Sequence, residues 1–278
     1  MNLALEQTSA QGVSGWAASL DLRFARRRGR TAIVERHHVG PLAVQRPFYP
    51  ETNGTCHTYL LHPPAGIVGG DQLAISLTLE QDASALVTTP GANRWYYTDA
   101  RPATITQHVR LGDGASLEWL PQETLVFDGA DARLTSTIEL SANAHYFGWE
   151  TVCLGRPACG ESFTQGRLDF RLELWREKQL LLRERVRGDG LPPGLGGYAA
   201  FTTLIASGAN TATRSLAREV CASLEQTLCG VSLIGDLLIC RGLAHDCAPL
   251  TQLGRTLWAE LRPELLGHPA SPPRIWRT

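Results

Sequence analysis

The feature that most limits the possible folds is a long succession of short, β-prone runs separated by turn clusters. The runs are rich in apolar and β-branched residues and lie at 20–24, 31–34, 85–89, 105–111, 117–120, 134–140, 170–175 and 180–186. Glycine, proline and aspartate mark the turns, as in Thr89-Pro90-Gly91 and Gly112-Asp113-Gly114. Short strands at roughly 8–12-residue spacing are typical of an all-β sandwich, barrel or irregular solenoid, and not of alternating βαβ units. We therefore expect a mainly β protein with an irregular sandwich or solenoid-like body over about 18–187.

The C-terminal part has a different pattern. A Gly/Pro-rich stretch at 188–198 predicts a flexible surface loop, and after it apolar residues recur every four positions. The periodic residues are Leu216, Val220, Leu224 and Leu228. They predict a helix over about 213–228 with Gly230 at its C′ position, then a hairpin at 231–234 and 237–241, then a helix at 250–261 that ends before Pro263. We expect this helix–hairpin–helix part, about 211–278, to form one domain (1–278) with the β body, and residues 1–15 to be frayed.

Composition excludes several classes of protein. The formal net charge is −1, from 26 basic and 27 acidic residues, which argues against nucleic acid or an anionic membrane as the main partner. Seven cysteines without paired spacing do not indicate a disulfide framework. The first 18 residues lack the pattern of a secretory signal, and no apolar run approaches the roughly 20 residues of a membrane helix. We expect a cytoplasmic protein with reduced thiols.

One glycine-dense stretch, His62-Pro63-Pro64-Ala65-Gly66-Ile67-Val68-Gly69-Gly70-Asp71, interrupts the strand pattern. The two prolines cannot donate to a sheet ladder, so the preceding strand should end at His62. The three glycines allow a close approach of backbone to backbone. Asp71 should then open an alternating strand. The stretch is either a tight structural turn or part of a site, and these residues alone leave both interpretations open.

Motifs for catalysis and tight metal binding are mostly missing. There is no G-x-S-x-G or H-E-x-x-H motif, and Lys178 is followed by Gln179, so no Walker lysine exists. Cys56, His57 and His62 are close in sequence, but a straight strand would separate Cys56 from His62 by about 20 Å, too far for shared zinc or nickel ligation. The segment from Cys153 to Cys159 lacks C-x-x-C spacing and a nearby histidine. We therefore expect no catalytic site, no tightly bound cofactor and no closed zinc site.

Three carboxylates are more suggestive because they lie in apolar or compact surroundings. They are Asp71 behind the glycine stretch, Glu150 after Phe147-Gly148-Trp149, and Glu184 after a run of leucines. Each could pair with an arginine, with Arg183 and Arg185 the obvious candidates for Glu184. Alternatively, they could line a wet internal path where oxygen ligands hold a divalent cation weakly enough to release it.

Several segments together resemble the family of urease accessory protein D, also called UreD or UreH. They are Val39-Gly40-Pro41-Leu42, Gln45-Arg46-Pro47-Phe48-Tyr49-Pro50, residues 61–71, Thr89-Pro90-Gly91-Ala92, Leu117-Glu118-Trp119-Leu120-Pro121-Gln122-Glu123, Cys153-Leu154-Gly155-Arg156-Pro157 with Gly160-Glu161, and Pro273-Arg274-Ile275-Trp276. These matches run almost from end to end in the right order. The family's Gly-Gly-Asp is present, although the acidic residue that often follows it is Gln72 here.

The resemblance implies a mostly β, non-catalytic urease maturation factor. Such a protein binds UreF, which recruits the nickel-carrying GTPase UreG, and the complex docks on apo-urease to help build its nickel centre. On this reading Asp71, Glu150 and Glu184 are candidate lining of a transient Ni²⁺ path. The rival hypothesis is a stand-alone β-sandwich hydrolase that uses Asp71, Glu123 or Glu150 as paired carboxylates. Such a pair would have to lie about 5–9 Å apart in one open cleft.

Overall fold

The computed structural model describes residues 15–277, which contain seventeen strands and two α-helices. The strands are β1 Ala17–Arg27, β2 Arg30–Val39, β3 Ala43–Val44, β4 Cys56–Leu61, β5 Gln72–Leu79, β6 Ser84–Thr88, β7 Asn93–Trp95, β8 Ala103–Leu111, β9 Ser116–Leu120, β10 Thr124–Val126, β11 Asp131–Leu140, β12 His145–Leu154, β13 Arg167–Arg176, β14 Gln179–Asp189, β15 Ala200–Ala206, β16 Leu228–Ile234 and β17 Leu237–Ala244. The helices are α1 Thr211–Ala222 and α2 Cys247–Leu266. The predicted frayed segment, 1–15, lies outside the described residues except for Gly15.

Two facing sheets form the body. One has seven strands in the order β14-β13-β11-β8-β5-β1-β2, and the main path of the other is β16-β17-β15-β12-β9-β6-β4-β3, with β10 and β7 paired beside β12. From β4 to β13 the chain alternates between the sheets, and neighbouring strands within each sheet are parallel. Cys56 pairs with Ala85, Ala85 with Leu117 and Leu117 with Tyr146, so successive turns advance by 29, 32 and 29 residues. This solenoid-like coil confirms the predicted mainly β class.

Side-chain alternation divides each strand between two environments. In β1, Leu20, Leu22 and Phe24 are buried between the sheets, while neighbouring polar residues point outwards. In β12, buried on both faces, Tyr146 and Val152 join the core between the sheets, whereas Phe147 and Trp149 join a second core on the outer face. The helices cover that outer face. A strand buried on both faces therefore has apolar residues on both, without a regular apolar–polar alternation.

The C-terminal hairpin, β16 and β17, extends the ten-stranded sheet through β15. Its position confirms the predicted hairpin, but the first predicted helix was too long. Helix α1 starts at a capping box made by Asn210 and Thr213 and ends at Ala222. Gly230 is not its C′ residue and lies within β16. The four-residue spacing predicted a helix as far as Leu228, but this residue lies on the exposed side of β16 and is 57% exposed.

Helix α2 runs through Pro263, where the sequence predicted its end. Proline removes one backbone donor, a cost that tertiary packing can offset. Here Arg262 and Leu265 are buried on either side of Pro263, and Gly267 caps the helix in the left-handed region at φ 74°. Within residues 15–277, neither helix is long and apolar enough to cross a membrane.

The Gly/Pro stretch, 188–198, begins in the last two residues of β14 and includes a 3₁₀ turn at Pro193–Leu195. Leu195 is buried against the core between the sheets, so one apolar side chain anchors the segment. The flexibility of 188–198 stays a prediction.

Candidate functional site

Asp71 is the last residue of the glycine-dense stretch, which lies at the rim of the coil. One of its carboxylate oxygens accepts a hydrogen bond from the Trp16 backbone N–H at 2.8 Å, and the other accepts from the Val68 N–H at 2.9 Å. Gly69 lies so close to the next turn that a Cβ there would stand 2.1 Å from the Thr98 carbonyl oxygen. The close approach therefore requires glycine, and Asp71 fixes the loop around it.

Cys56, His57 and His62 have three different surroundings. Cys56 is in the core between the sheets, beside the Thr58 hydroxyl at 3.4 Å. His57 is bonded through Nε2 to Glu51 at 2.6 Å. The strand was predicted to end at His62, and β4 ends one residue earlier, at Leu61. Burial lowers the pKa of His62, and Asp71 opposes that change.

Glu150 is buried between the two sheets. Its carboxylate accepts a hydrogen bond from Trp119 Nε1 at 3.0 Å, and Gln107 donates a second from the facing sheet. Ser136 in turn bonds the Gln107 side chain at 3.1 Å. Burial raises the pKa of Glu150 to about 7, and the two hydrogen bonds only partly oppose this. The group can therefore change its charge near neutral pH.

Glu184 reaches the same space from the edge of the seven-stranded sheet. Its partner is Arg241 on β17, whose Nε donates at 2.9 Å, so the pair joins the two sheets. The predicted partners Arg183 and Arg185 instead bond Glu173 and Asp169.

Strand register connects these groups into one layer. Glu150 pairs with Thr203, and Thr203 pairs with Arg241, so the three lie in a row about 10 Å long on one sheet. On the facing sheet, Gln107 pairs with Ser136, Ser136 with Leu172, and Leu172 with Glu184. We call the polar members the interior polar layer: Gln107, Ser136, Glu150, Glu184, Thr203 and Arg241. It runs from fully buried Glu150 to Arg241, whose side chain is 46% exposed.

A separate buried ion cluster fastens α2 to the outer face of the ten-stranded sheet. Arg262 donates to Glu118 through Nε and Nη2 and to Glu51 through Nη1 and Nη2, each at 2.8 Å. Trp258 Nε1 donates to Glu118 at 2.5 Å. Burial alone would raise the pKa of Glu51, but hydrogen bonds from His57 and Arg262 prevail and lower it to about 2.

Among the described residues, two clusters bring cysteine side chains close together. Cys153 meets Asp246 and Cys247 beside the start of α2, and Cys221, Cys229 and Cys240 meet beside α1. Cys159, by contrast, is exposed on a 3₁₀ turn at Pro157–Cys159.

The carboxylates named for the hydrolase hypothesis occupy three environments. Asp71 bonds backbone N–H groups at the rim, and Glu150 is enclosed between the sheets. Glu123 lines a groove on the outer face with Cys247 and Arg255 of α2. These three residues therefore do not form a paired-carboxylate site in one open cleft.

The sequence reasoning missed Gln107, Thr203 and Arg241, since each comes from a strand whose neighbours across the sheets are distant in sequence. The Leu117–Glu123 motif did hold a usable signal. Alternation places Leu117 and Trp119 on one face, and Glu118 and Leu120 on the other. From this alternation, Trp119 could have been predicted to face the side on which Glu150 lies. Glu118 could have been predicted to face a helix on the other side.

Comparisons with known proteins agree closely with one another. The sequence profile described as "UreD urease accessory protein" matches residues 17–277. The chain is 44% identical to a protein of Pseudomonas putida (strain W619) named "Urease accessory protein UreD", with both chains covered completely. It is 42% identical to "Urease accessory protein UreD 2" of Brucella anthropi over 95% of this chain and 99% of that protein. A protein of Citrobacter koseri with the UreD name is 43% identical, covering 95% of this chain and 92% of the relative.

Proposed function

Because the chain belongs to the UreD family of urease accessory proteins, we propose that it acts without catalysis in the maturation of urease. In this proposal it binds UreF and, with the GTPase UreG, docks on apo-urease and supports nickel insertion. The family match over nearly the whole chain is the observation that carries the proposal. In this proposal the chain acts in the cytoplasm, where thiols stay reduced. All seven cysteines are free thiols, which agrees with that compartment.

The interior polar layer supports a role in passing nickel as cargo. A path needs weak sites in sequence, and oxygen donors hold a first-row divalent cation more loosely than thiolates do. Glu150 and Glu184 supply carboxylate oxygens at the two ends of the layer, and Thr203 supplies a hydroxyl between them. The Arg241 guanidinium is paired with Glu184 at one end of the layer. The proposal therefore requires the Glu184–Arg241 ion pair to open before a cation binds Glu184. Asp71 is the third proposed member, at the rim.

Exposed apolar side chains support a role that depends on partners. Trp16, Val68, Tyr96 and Tyr97 are all exposed and flank the crossing closed by Asp71. A Cβ at Gly66 would touch the Tyr96 ring, and one at Gly129 would touch the Tyr97 ring, so neighbouring turns bring these residues to the same rim. Clusters of exposed aromatic residues are typical of protein interfaces.

Complementation tests the proposal. A strain that carries urease, UreF and UreG but lacks its own UreD gene should make active, nickel-loaded urease only when this chain is supplied. Tagged chain should retain UreF, UreG and apo-urease during purification from that strain. The purified chain alone should show no saturable GTP binding by calorimetry, since Lys178 is followed by Gln179 and no Walker loop exists. Unchanged urease activity with and without the chain would reject the proposal.

A further inference from the structure

Three cysteine side chains converge beside helix α1, on the opposite face of the ten-stranded sheet from the interior polar layer. Cys221 is in the last turn of α1, Cys229 is on β16 and Cys240 is on β17. Their sulfur atoms all lie within 4.8 Å of one another, and Cys221 Sγ and Cys240 Sγ are 3.6 Å apart. The cluster therefore unites three elements whose sequence spacing matches no common zinc motif.

Strand register explains how the thiols meet. Cys240 pairs with Val231, and Cys229 lies two positions before Val231 on the same strand. Residues two apart share a face of the sheet, so Cys229 and Cys240 point to the same side. That side is the outer face of the ten-stranded sheet, which α1 covers.

The spacing of the sulfur atoms suits a metal ion. Zinc–sulfur bonds of about 2.3 Å in a tetrahedral site place neighbouring sulfur atoms about 3.8 Å apart. The observed separations need only small side-chain adjustments to reach that value.

We propose that Cys221, Cys229 and Cys240 bind one Zn²⁺ ion as three thiolates, with water in the fourth position. Three S–Zn bonds form, the three thiol protons pass to solvent, and no oxidant is needed. Cys240 is buried, whereas Cys221 and Cys229 are half-buried, so the cluster lies near the surface. The proposed zinc site uses sulfur ligands and lies on a different face of the sheet from the proposed nickel path. A negative result for one site therefore does not decide the other.

Cobalt(II) is the probe for the first test, using the full-length chain with a cysteine-free solubility tag, after reduction and metal removal. One equivalent of Co²⁺ should give thiolate-to-cobalt charge-transfer bands and the intense visible bands of tetrahedral cobalt, and Zn²⁺ should abolish both. Cys229→Ser should lose the spectrum. Cys159→Ser, at an exposed thiol outside the cluster, should keep it. Cys153→Ala should also keep it, which separates this cluster from the one beside Cys247.

A second test needs no variant. Zinc at ten times its dissociation constant should slow alkylation of Cys221 and Cys229 about tenfold, measured by mass spectrometry, and leave Cys159 unchanged. The proposal is overturned if reduced protein gives no charge-transfer band. It is equally overturned if Cys229→Ser retains the band, if only Cys153→Ala removes it, or if zinc does not protect Cys221 and Cys229.

Discussion

Replacing Glu150 with glutamine should stabilise the protein at alkaline pH, because the buried carboxylate resists ionisation in the folded state. Its folded-state pKa is about 7, raised above the ordinary value of 4.5 by burial. A group with a raised folded-state pKa contributes stability that is present below the unfolded value and lost as pH rises through the folded value. The wild type should therefore lose this contribution between about pH 4.5 and pH 7.

The size of the effect follows from the two pKa values. At about 1.4 kcal/mol for each tenfold change, the difference between 4.5 and about 7 corresponds to about 3 kcal/mol above pH 8. Glutamine keeps the oxygen that accepts from Trp119, and the Gln107 amide can turn because its Ser136 partner both donates and accepts. The substitution therefore removes the charge with little change in shape.

Urea unfolding of both proteins between about pH 5 and pH 8.5 measures the difference. Glu150→Gln should exceed the wild type by only about 1 kcal/mol at pH 5 and by about 3 kcal/mol at pH 8.5. Other titrating groups are common to both proteins and cancel in the comparison. Glu184→Gln, a control at the partly exposed end of the layer, should instead lower stability by about 1 kcal/mol. A stability difference between Glu150→Gln and wild type that stays constant with pH would refute the reasoning.

Two further predictions concern packing. Arg262→Met should lower the free energy of unfolding by about 4 kcal/mol, since it leaves two carboxylates buried without their cation, whereas Arg183→Met, whose side chain is 60% exposed, should cost less than about 1 kcal/mol. Equal losses in denaturant titrations would contradict the assignment of a buried cluster. Gly69→Ala should cost about 2 kcal/mol because its Cβ meets the Thr98 carbonyl oxygen, and Gly91→Ala, with nothing within 4 Å, should stay within about 0.5 kcal/mol. A Gly69→Ala protein as stable as Gly91→Ala would show that this crossing tolerates a side chain.

Local patterns in the sequence predicted many of the strands, although β12 and β15 were not among the predicted runs. Leu20, Leu22 and Phe24 alternate with polar residues and are buried in β1. The runs at 105–111 and 134–140 likewise fall within β8 and β11. The ends of the helices were harder, because tertiary contacts decide them. Ser223 follows the last residue of α1 although the leucine spacing continues, and buried Arg262 carries α2 past Pro263.

The candidate site could be predicted only in part. Glu150 and Glu184 were named from their apolar surroundings, but their shared layer depends on register between strands far apart in the chain. Arg241 is the partner of Glu184 although Arg183 and Arg185 are its near neighbours in sequence. The reason is alternation, which directs adjacent residues to the opposite face of the strand.

Urease activation by the carboxylate variants tests the central proposal most directly. The assay measures urease activity and nickel per urease in cells that carry urease, UreF, UreG and either wild-type or variant chain. Glu150→Gln should lower both quantities while the chain still co-purifies with UreF, and its predicted gain in stability would exclude misfolding as the cause. Combining it with Glu184→Gln should lower nickel content further. Full activity and normal nickel content with Asp71→Asn, Glu150→Gln and Glu184→Gln combined would contradict a nickel path through these residues.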